Sequence, residues 1–449
     1  MAEIAPLTPL RYDLARLARS QGSLANVVAP PYDVISPSER AELAARSPNN
    51  IVKLILPEGE GDTRYANAAG LLETWVKEGV LVRDDEPAFY RYDQTFTPPG
   101  GAGTPLTRRG FLGLVKLVPL SARIVLPHER TLSGPKEDRL KLFRATHTNL
   151  SPGFMLYRDP RGAIAKPLES AEVLADFSTA DGVRHVLAKI TATIAVKAIV
   201  EGLSASTLLI ADGHHRYETA VRYGDEISAA NPTAGPRAEH RYFMTFLVNG
   251  DDPNLVVFPT HRFVHSLTSF SHDDLLKRAA ELFEVTSLAP SADADAIHAA
   301  LRDAGKRGAS FAAASADGRV ALLTLRGDAD LARHPTLGRA PEALRRTDVA
   351  ILHMGILESI LGITPEAQAA KTNLWYPQDT RAALGELRGG TVGKAAGQVL
   401  FVMNATPVDH VRSVAEAGEV MPQKSTFFYP KVLTGLAVHT LEPSRNVAL

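Results

Sequence analysis

The chain has no cysteine. Disulfides, thiol nucleophiles, cysteine-held iron–sulfur clusters and cysteine-ligated zinc are therefore excluded. Long apolar runs are also missing. The most apolar stretch near the C-terminus, Val399 to Met403, has strand length, far short of the ~20 residues a membrane-spanning helix needs. The opening Met1-Ala2-Glu3-Ile4-Ala5-Pro6 has no apolar signal core. Neither sign of charge is in surplus: 49 Lys+Arg stand against 50 Asp+Glu, a formal net charge of −1. A general nucleic-acid binder shows a basic surplus or stripe. The expectation is a cytoplasmic protein whose partner is a small molecule, with no nucleic acid and no membrane; its oligomeric state is left open. A Gly-x-x-x-x-Gly-Lys-Ser/Thr loop is absent, so P-loop chemistry is excluded. Internal repeats and low-complexity tracts are absent too.

What is present is ordinary for a globular chain: 449 residues, 45% hydrophobic and 22% charged. At about 150 residues per domain this allows about three domains. The pattern reads as mixed α/β. Ser36 to Ala45 is a helix, with Pro37 in its first turn and Glu39 and Glu42 complementing the N-terminal dipole. Ile51 to Leu56 reads as a buried strand closed by Pro57, and Tyr65 to Glu78 as an amphipathic helix. Phe89 to Phe96 alternates like a strand, Pro98 to Thr104 is a loop, and Phe111 to Val118 is a strand. Ala180 to Gly202 reads as helical, Thr207 to Ala211 as a buried strand, and His214 to Tyr223 as the helix after it. A loop at Asn231 to Gly235 and a strand at Arg241 to Val248 follow. Helices at Ser271 to Phe283 and Asp293 to Ala304, then strands at Ser310 to Ala314 and Val320 to Leu325, look like an inserted α/β unit. The predicted organisation is an N-terminal α/β region over 1–235, an accessory unit over 236–340, and a C-terminal region over 341–449 that returns to the core.

The sharpest local signal is Leu208-Leu209-Ile210-Ala211-Asp212-Gly213-His214-His215-Arg216-Tyr217. An apolar strand runs into Asp-Gly and a helix opens at once. Gly213 permits a sharp turn and close approach of a ligand. The first helical N–H groups and the dipole favour an anion there. His214, His215 and Arg216 add donors, and a guanidinium binds phosphate in a bidentate way. The combination reads as a phosphate cradle with Asp212 at its edge. Two alternatives stand beside it: Asp212 as a plain N-cap with surface histidines, or metal ligation. Adjacent helical residues point about 100° apart, which disfavours one ion on both histidines.

Three further segments carry clustered chemistry. Pro127 to Arg139 holds Glu129 and Asp138, candidate bases or Mg²⁺ ligands, and Arg130, Lys136 and Arg139, candidate phosphate clamps. It reads equally as a solvated surface loop with ion pairs. Met421 to Lys431 places Lys424, Ser425 and Thr426 beside an aromatic run, either lining a pocket or packing as an edge strand. Ala29 to Ser36 contains a double proline and then Asp33, placed at a strand end where α/β folds carry chemistry, or in a plain turn.

The Asp-Gly-His-His-Arg box resembles the phosphate-binding box of the ParB/sulfiredoxin-like superfamily, which includes nucleotide switches, sulfiredoxins and free-serine kinases. Taken in order, Pro-Pro-Tyr-Asp-Val-Ile-Ser, His-Glu-x-Thr with Lys-x-Asp-Arg-Leu, Ala-Asp-Gly-His-His-Arg-Tyr and Met-Pro-Gln-Lys-Ser-Thr resemble domain-of-unknown-function family 1015. The resemblance implies a ParB/sulfiredoxin-like phosphate-binding core carrying an additional α/β unit, and four segments that serve one site. It further implies a phosphotransferase that moves a phosphoryl group from a nucleotide or pyrophosphate to a small hydroxyl compound, free L-serine first, with Mg²⁺ as cofactor. In that reading Asp212, Gly213, His214, His215 and Arg216 hold the donor, and Arg130, Lys136, Arg139, Lys424, Ser425 and Thr426 complete the anion site. Asp33, Glu129 and Asp138 are the catalytic candidates, and the general base and metal ligands stay open among them. A ParB-like nucleotide-binding regulator without turnover and a phosphohydrolase are the alternatives.

Overall fold

Ser36, Pro37 and Glu39 start helix α1 (Pro37–Arg46) as their types demand. The Ser36 side chain accepts from the Glu39 N–H while the Glu39 carboxylate accepts from the Ser36 N–H, a reciprocal capping box. The next element departs from expectation. Ile51 to Leu56 is not a strand; it holds a single helical turn, α2 (Val52–Ile55). Asn50 decides the matter: its Oδ1 accepts from the Val52 N–H at 2.9 Å, and its amide donates to the carbonyls of Asn26 and Val28. A short apolar run buried on all sides fits either period.

The computed structural model describes residues 1–98, 103–131, 133–389 and 396–448. It is mixed α/β, and its contacts divide the chain into two units. The first comprises Met1–Pro127, Thr131–Val256 and Pro430–Leu449; the second comprises His128–Arg130 and Val257–Tyr429. These boundaries differ from the predicted 235/236 and 340/341. Pairing of strands distant in the chain is the reason: residues 242–249 complete the first unit's sheet, and residues 397–403 sit inside the second's.

The first unit is built on a sheet of nine strands among the described residues. They are β1 (Ile4–Ala5), β2 (Phe89–Phe96), β3 (Leu106–Lys116), β4 (Val125–Leu126), β5 (Gly153–Tyr157), β6 (Glu172–Ser178), β7 (Arg184–Ile190), β8 (Leu208–Asp212) and β9 (Tyr242–Asn249). The order is β4-β8-β5-β9-β3-β2-β7-β6, with β1 paired to β3. β8 runs parallel to β4 and antiparallel to β5, and β9 runs parallel to β5, so the sheet is mixed. Strand β7 corrects a second expectation. Residues 184–190 were read as part of a helix, yet they pair antiparallel with β2 from Arg184↔Thr95 to Ile190↔Phe89. Only α5 (Thr193–Leu203) is helical there. Of the loop predicted at Pro98 to Thr104, residues 99–102 lie outside the described residues. Helices α3 (Thr63–Lys77), α4 (Ser133–Thr146) and α6 (His214–Ala230) pack as a row, α3 on α4 and α4 on α6. The core beneath them gathers Phe111, Met155, Ile210, Tyr217 and Phe243, all buried.

The second unit has its own antiparallel sheet: β10 (Arg262–His265), β11 (Phe283–Ser287), β12 (Ser310–Ser315), β13 (Val320–Leu325), β14 (Leu374–Trp375) and β15 (Gly397–Met403), in the order β11-β13-β12-β15-β10-β14. Helices α8 (Ala294–Gly305) and α9 (Thr380–Arg388) bury Ile297, Leu301, Leu384 and Leu387 against Phe263, Leu400 and Val402. Helix α7 (His272–Ala279) precedes β11. A π-helical segment, Ile351–Glu358, is largely buried. Among the described residues no helix is long and apolar enough to cross a membrane.

Candidate functional site

The site is assembled where β8 gives way to α6. Leu208, Leu209 and Ile210 are buried, and the pairing of β8 with β5 shifts register between Ile210 and Asp212. Such irregularities re-aim side chains at the end of a strand. Gly213 follows at φ +93°, in the left-handed region, and α6 begins at His214. A Cβ at Gly213 would lie 3.0 Å from the Arg216 guanidinium, so glycine is required by conformation and by space. As N-cap, Gly213 brings no side-chain oxygen to the helix start.

Arg216 stands one turn into α6 and reaches back. Its Nη2 donates to Asp212 Oδ2 at 2.6 Å and its Nη1 donates to the Pro152 carbonyl. Lys431 Nζ takes the other oxygen, Asp212 Oδ1, at 2.8 Å. Burial alone would push the Asp212 carboxyl up, but Lys431, Arg216 and His214 hold it far below the usual carboxylate range. Asp212 is therefore a fixed negative charge that aims two cations, and it is no proton acceptor near neutrality. Arg108 is a further cation of this region. It is fully buried, donates to Gln94 Oε1 and to the Pro430 carbonyl, and lies 4.8 Å over the Phe154 ring. Burial pushes its guanidinium down to about 10.

Helix α4 supplies the facing wall. Arg139 donates to the Ile55 carbonyl at 2.8 Å and to Asp138 Oδ2 from both Nε and Nη2. Its guanidinium lies 4.1 Å over the Tyr32 ring. Asp138 also accepts from Arg64 Nη2 at 2.9 Å and from the Tyr65 hydroxyl at 2.7 Å. Burial opposes its charge, but Arg139, Tyr65 and Arg64 outweigh it and lower its pKa. Lys136 is spent on Glu218 Oε2 at 2.9 Å and Thr131 Oγ1 at 3.1 Å. Asp33 is exposed on the short turn Tyr32–Val34, the second of the two placements the sequence leaves open, and not at a strand end.

Arg139 and Arg216 line one cavity with Tyr32, Thr148, Asn149 and Ser151, over an apolar floor that includes Ile55 and Phe143. Its volume is only about 20 Å³. That is room for about one ordered water. Asn149 and Ser151 are themselves held in place. Asn149 donates to the Ser151 carbonyl at 2.7 Å and accepts from the Met244 N–H at 2.8 Å, and Ser151 Oγ accepts from Thr434 at 3.1 Å.

The remaining candidates lie in the second unit. There Glu129 Oε1 accepts the N–H groups of Ser425 (2.9 Å) and Thr426 (3.4 Å), and His128 Nε2 bonds Thr426 Oγ1 at 2.9 Å. Lys424 sits at φ +59°, and its carbonyl accepts from Arg262 Nη2 at 3.1 Å. Ser425 is buried and donates to the Pro422 carbonyl. These bonds strap one turn. Glu129 acts there as a backbone acceptor, while Arg130 lines a separate cavity of about 290 Å³ with Gln423, His353 and Tyr376.

Within the first unit the structure thus brings Asp212, Gly213, His214 and Arg216 to one strand end, and Arg216 and Arg139 to one cavity. Sequence reasoning missed Arg108 and Ser151 as parts of this region; Tyr32 and Lys431 fall within the segments 30–36 and 421–431 that the family resemblance brings to one site, without being singled out there. The signal for Arg108 was a charge inside an otherwise apolar strand; Ser151 follows only from long-range contacts. Among the described residues no three His, Asp or Glu side chains are placed to hold a metal ion. Both Asp212 and Asp138 are neutralised by cations, so Mg²⁺ fits here only as part of an incoming phosphate complex.

A family model described as Protein of unknown function (DUF1015) matches residues 4–350. No curated protein matches the chain. Among solved structures, a free serine kinase variant in complex with ADP is 12% identical, with TM-score 0.36, covering 71% of this chain and 89% of its own. A conserved hypothetical protein from Pyrococcus furiosus is 14% identical, with TM-score 0.34, covering 71% and 92%. A C-terminally truncated SbnI from Staphylococcus aureus is 11% identical, with TM-score 0.33, covering 73% and 87%.

Proposed function

From the arginine-lined cavity at the β8–α6 junction we propose that this chain, a member of the DUF1015 family, is a phosphotransferase acting on a small hydroxyl compound, with free L-serine the first acceptor to test. The observation that carries the reading is the pairing of two buried guanidinium groups, Arg139 and Arg216, in one cavity beside a glycine-opened helix start. Buried arginines cost free energy unless anions meet them. Asp138 and Asp212 meet them from the sides, which fixes their planes and leaves their shared cavity lined with hydroxyl and amide groups.

Phosphoryl transfer asks little covalent chemistry of a protein. It asks for positioning and for charge stabilisation at the equatorial oxygens. The donor, a nucleotide or pyrophosphate with its Mg²⁺, would lie against the Gly213 turn, His214, His215 and Arg216. The acceptor hydroxyl oxygen attacks phosphorus, the bond from phosphorus to the leaving phosphate breaks, and the hydroxyl proton passes to a base. Asp33 is the carboxylate proposed for that proton, because Asp138 and Asp212 are held ionised by cations and are poor acceptors. The tightness of the cavity favours one second reading, a switch that opens on binding a nucleotide and does not turn it over.

The test is to incubate the protein with Mg²⁺, L-serine and each of ATP, ADP and pyrophosphate, and to look for phosphoserine by ³¹P NMR. Arg216→Lys keeps a charge but loses the fork geometry. It should cut the rate at least ~100-fold, as removal of one stabilising donor does, while thermal melting shows the fold intact. Binding of nucleotide with no product across small hydroxyl acceptors would replace the transferase with the switch.

A further inference from the structure

A cavity of the second unit, about 800 Å³, opens at one end of its sheet. Ala309 precedes β12, Leu325 ends β13 and Asn404 follows β15, and all three line it, together with the C-terminal turn of α8. Six cationic residues line this space: Arg302, Lys306, Arg307, Arg326, Arg345 and Arg346. Only two carboxylates, Asp330 and Asp348, line it with them.

Local ion pairing does not account for the cluster. Lys306, Arg307, Arg326 and Arg346 each have one surface acid, at 3.1, 3.6, 3.4 and 2.9 Å. Exposed pairs of this kind contribute little. Arg302 and Arg345 have no side-chain hydrogen bond or ion pair among the described residues. Arg302 and Lys306 do complement the negative end of α8, and Arg345 and Arg346 stand at the C-terminal end of the short helix Glu342–Arg345; that reason does not extend to Arg326, nor does it explain why two helix ends and a strand end bring their cations to one space. Like charges gathered round one space repel each other, and a polyanion placed there removes the repulsion. The floor is different in kind: Leu325, Leu331 and Ile351 are apolar. The space matches ligand pockets in size and is far larger than one phosphate requires.

We propose that this groove is a second, independent ligand site, and that it takes a phosphorylated small molecule of the nucleoside diphosphate class, its phosphates held by Arg302 and Arg345 and its flat body on the Leu325–Ile351 floor. The site lies wholly in the second unit and requires no turnover in the first.

The experiment is isothermal titration of the full chain with ADP and, separately, with pyrophosphate, which has the same two phosphates and no body. It is run on Arg216→Lys, which disables the cradle of the first unit, and on Arg216→Lys combined with Arg302→Gln and Arg345→Gln. Both groove residues are at least partly solvent-exposed, and melting curves confirm the fold. The groove predicts that Arg216→Lys still binds one ADP, that the triple variant binds it at least tenfold more weakly, and that pyrophosphate binds at least tenfold more weakly than ADP. Equal ADP affinity in the two variants overturns the site. Equal affinity for pyrophosphate and ADP overturns the nucleoside class. Loss of serine phosphorylation in Arg216→Lys touches only the transferase reading, so the two proposals fail separately.

Discussion

Asp212 aims the cations of the candidate site while being no proton acceptor near neutrality. Its two oxygens divide Arg216 and Lys431 between them, and its side chain is 18% exposed. Breaking a mostly buried pair by removing one partner costs about 3–5 kcal/mol. Asp212→Asn should therefore lower unfolding stability at pH 7 by about 3 kcal/mol, measured in urea. Because the folded carboxyl titrates far below its unfolded value of about 4, its contribution is complete above that value and declines as pH falls beneath it. The gap between wild type and Asp212→Asn should thus narrow below about pH 4. A gap that stays constant from pH 7 to pH 3 would show that Asp212 is not held ionised.

At the scale of elements, the β8–α6 junction was legible because the strand, the turn and the helix start are each set locally, although Lys431 and the Pro152 carbonyl that complete it come from far along the chain. An apolar strand, a glycine and a helix opening lie within ten residues, and only glycine suits φ +93° with the Arg216 guanidinium so near. Gly213→Ala should cost about 1–3 kcal/mol, the usual size of stored backbone strain, and should abolish phosphate binding by displacing Arg216. Full retention of both in a melting and titration series would contradict the cradle. Helix α1 was legible for the same reason, through Ser36, Pro37 and Glu39. Ser36→Ala should cost about 1 kcal/mol in urea unfolding and leave any activity untouched. Helix α2 and strand β7 were not legible. Ile51 to Leu56 is apolar throughout, so its period has no contrast, and Asn50 acts through Asn26 and Val28, more than twenty residues away. Strand β7 is defined by its partners β2 and β6 and lies in a stretch that sequence reads as helical.

For the molecule as a whole, the unit boundaries escaped the sequence because Gly397–Met403 pairs with strands up to about 140 residues earlier. Arg108 escaped likewise, since the Pro430 carbonyl it meets lies far along the chain, and so did the pairing of Lys431 with Asp212. Five buried histidines add a property of the entire chain. Burial lowers His185, His240 and His439 to about 4, and His261 and His353 to about 3. All stay neutral in the folded state while their unfolded counterparts take up protons below about 6.5. The unfolded state then binds more protons, so stability is full above that pH and falls as pH drops towards 4. Melting temperature should be flat from pH 8 to 7 and decline steadily from 6.5 to 4.5. A flat profile down to 4.5 would contradict the burial of these groups.

On the phosphotransferase reading, a phosphate-bearing donor seats against Arg139 and Arg216, and their shared space, which has room for about one water, must widen to admit it. A crystal of the protein soaked with pyrophosphate and Mg²⁺ tests it most directly. Density for the anion against both guanidinium groups and the Gly213 turn is the predicted result. An occupied second-unit groove with only water beside Arg139 and Arg216 would contradict it.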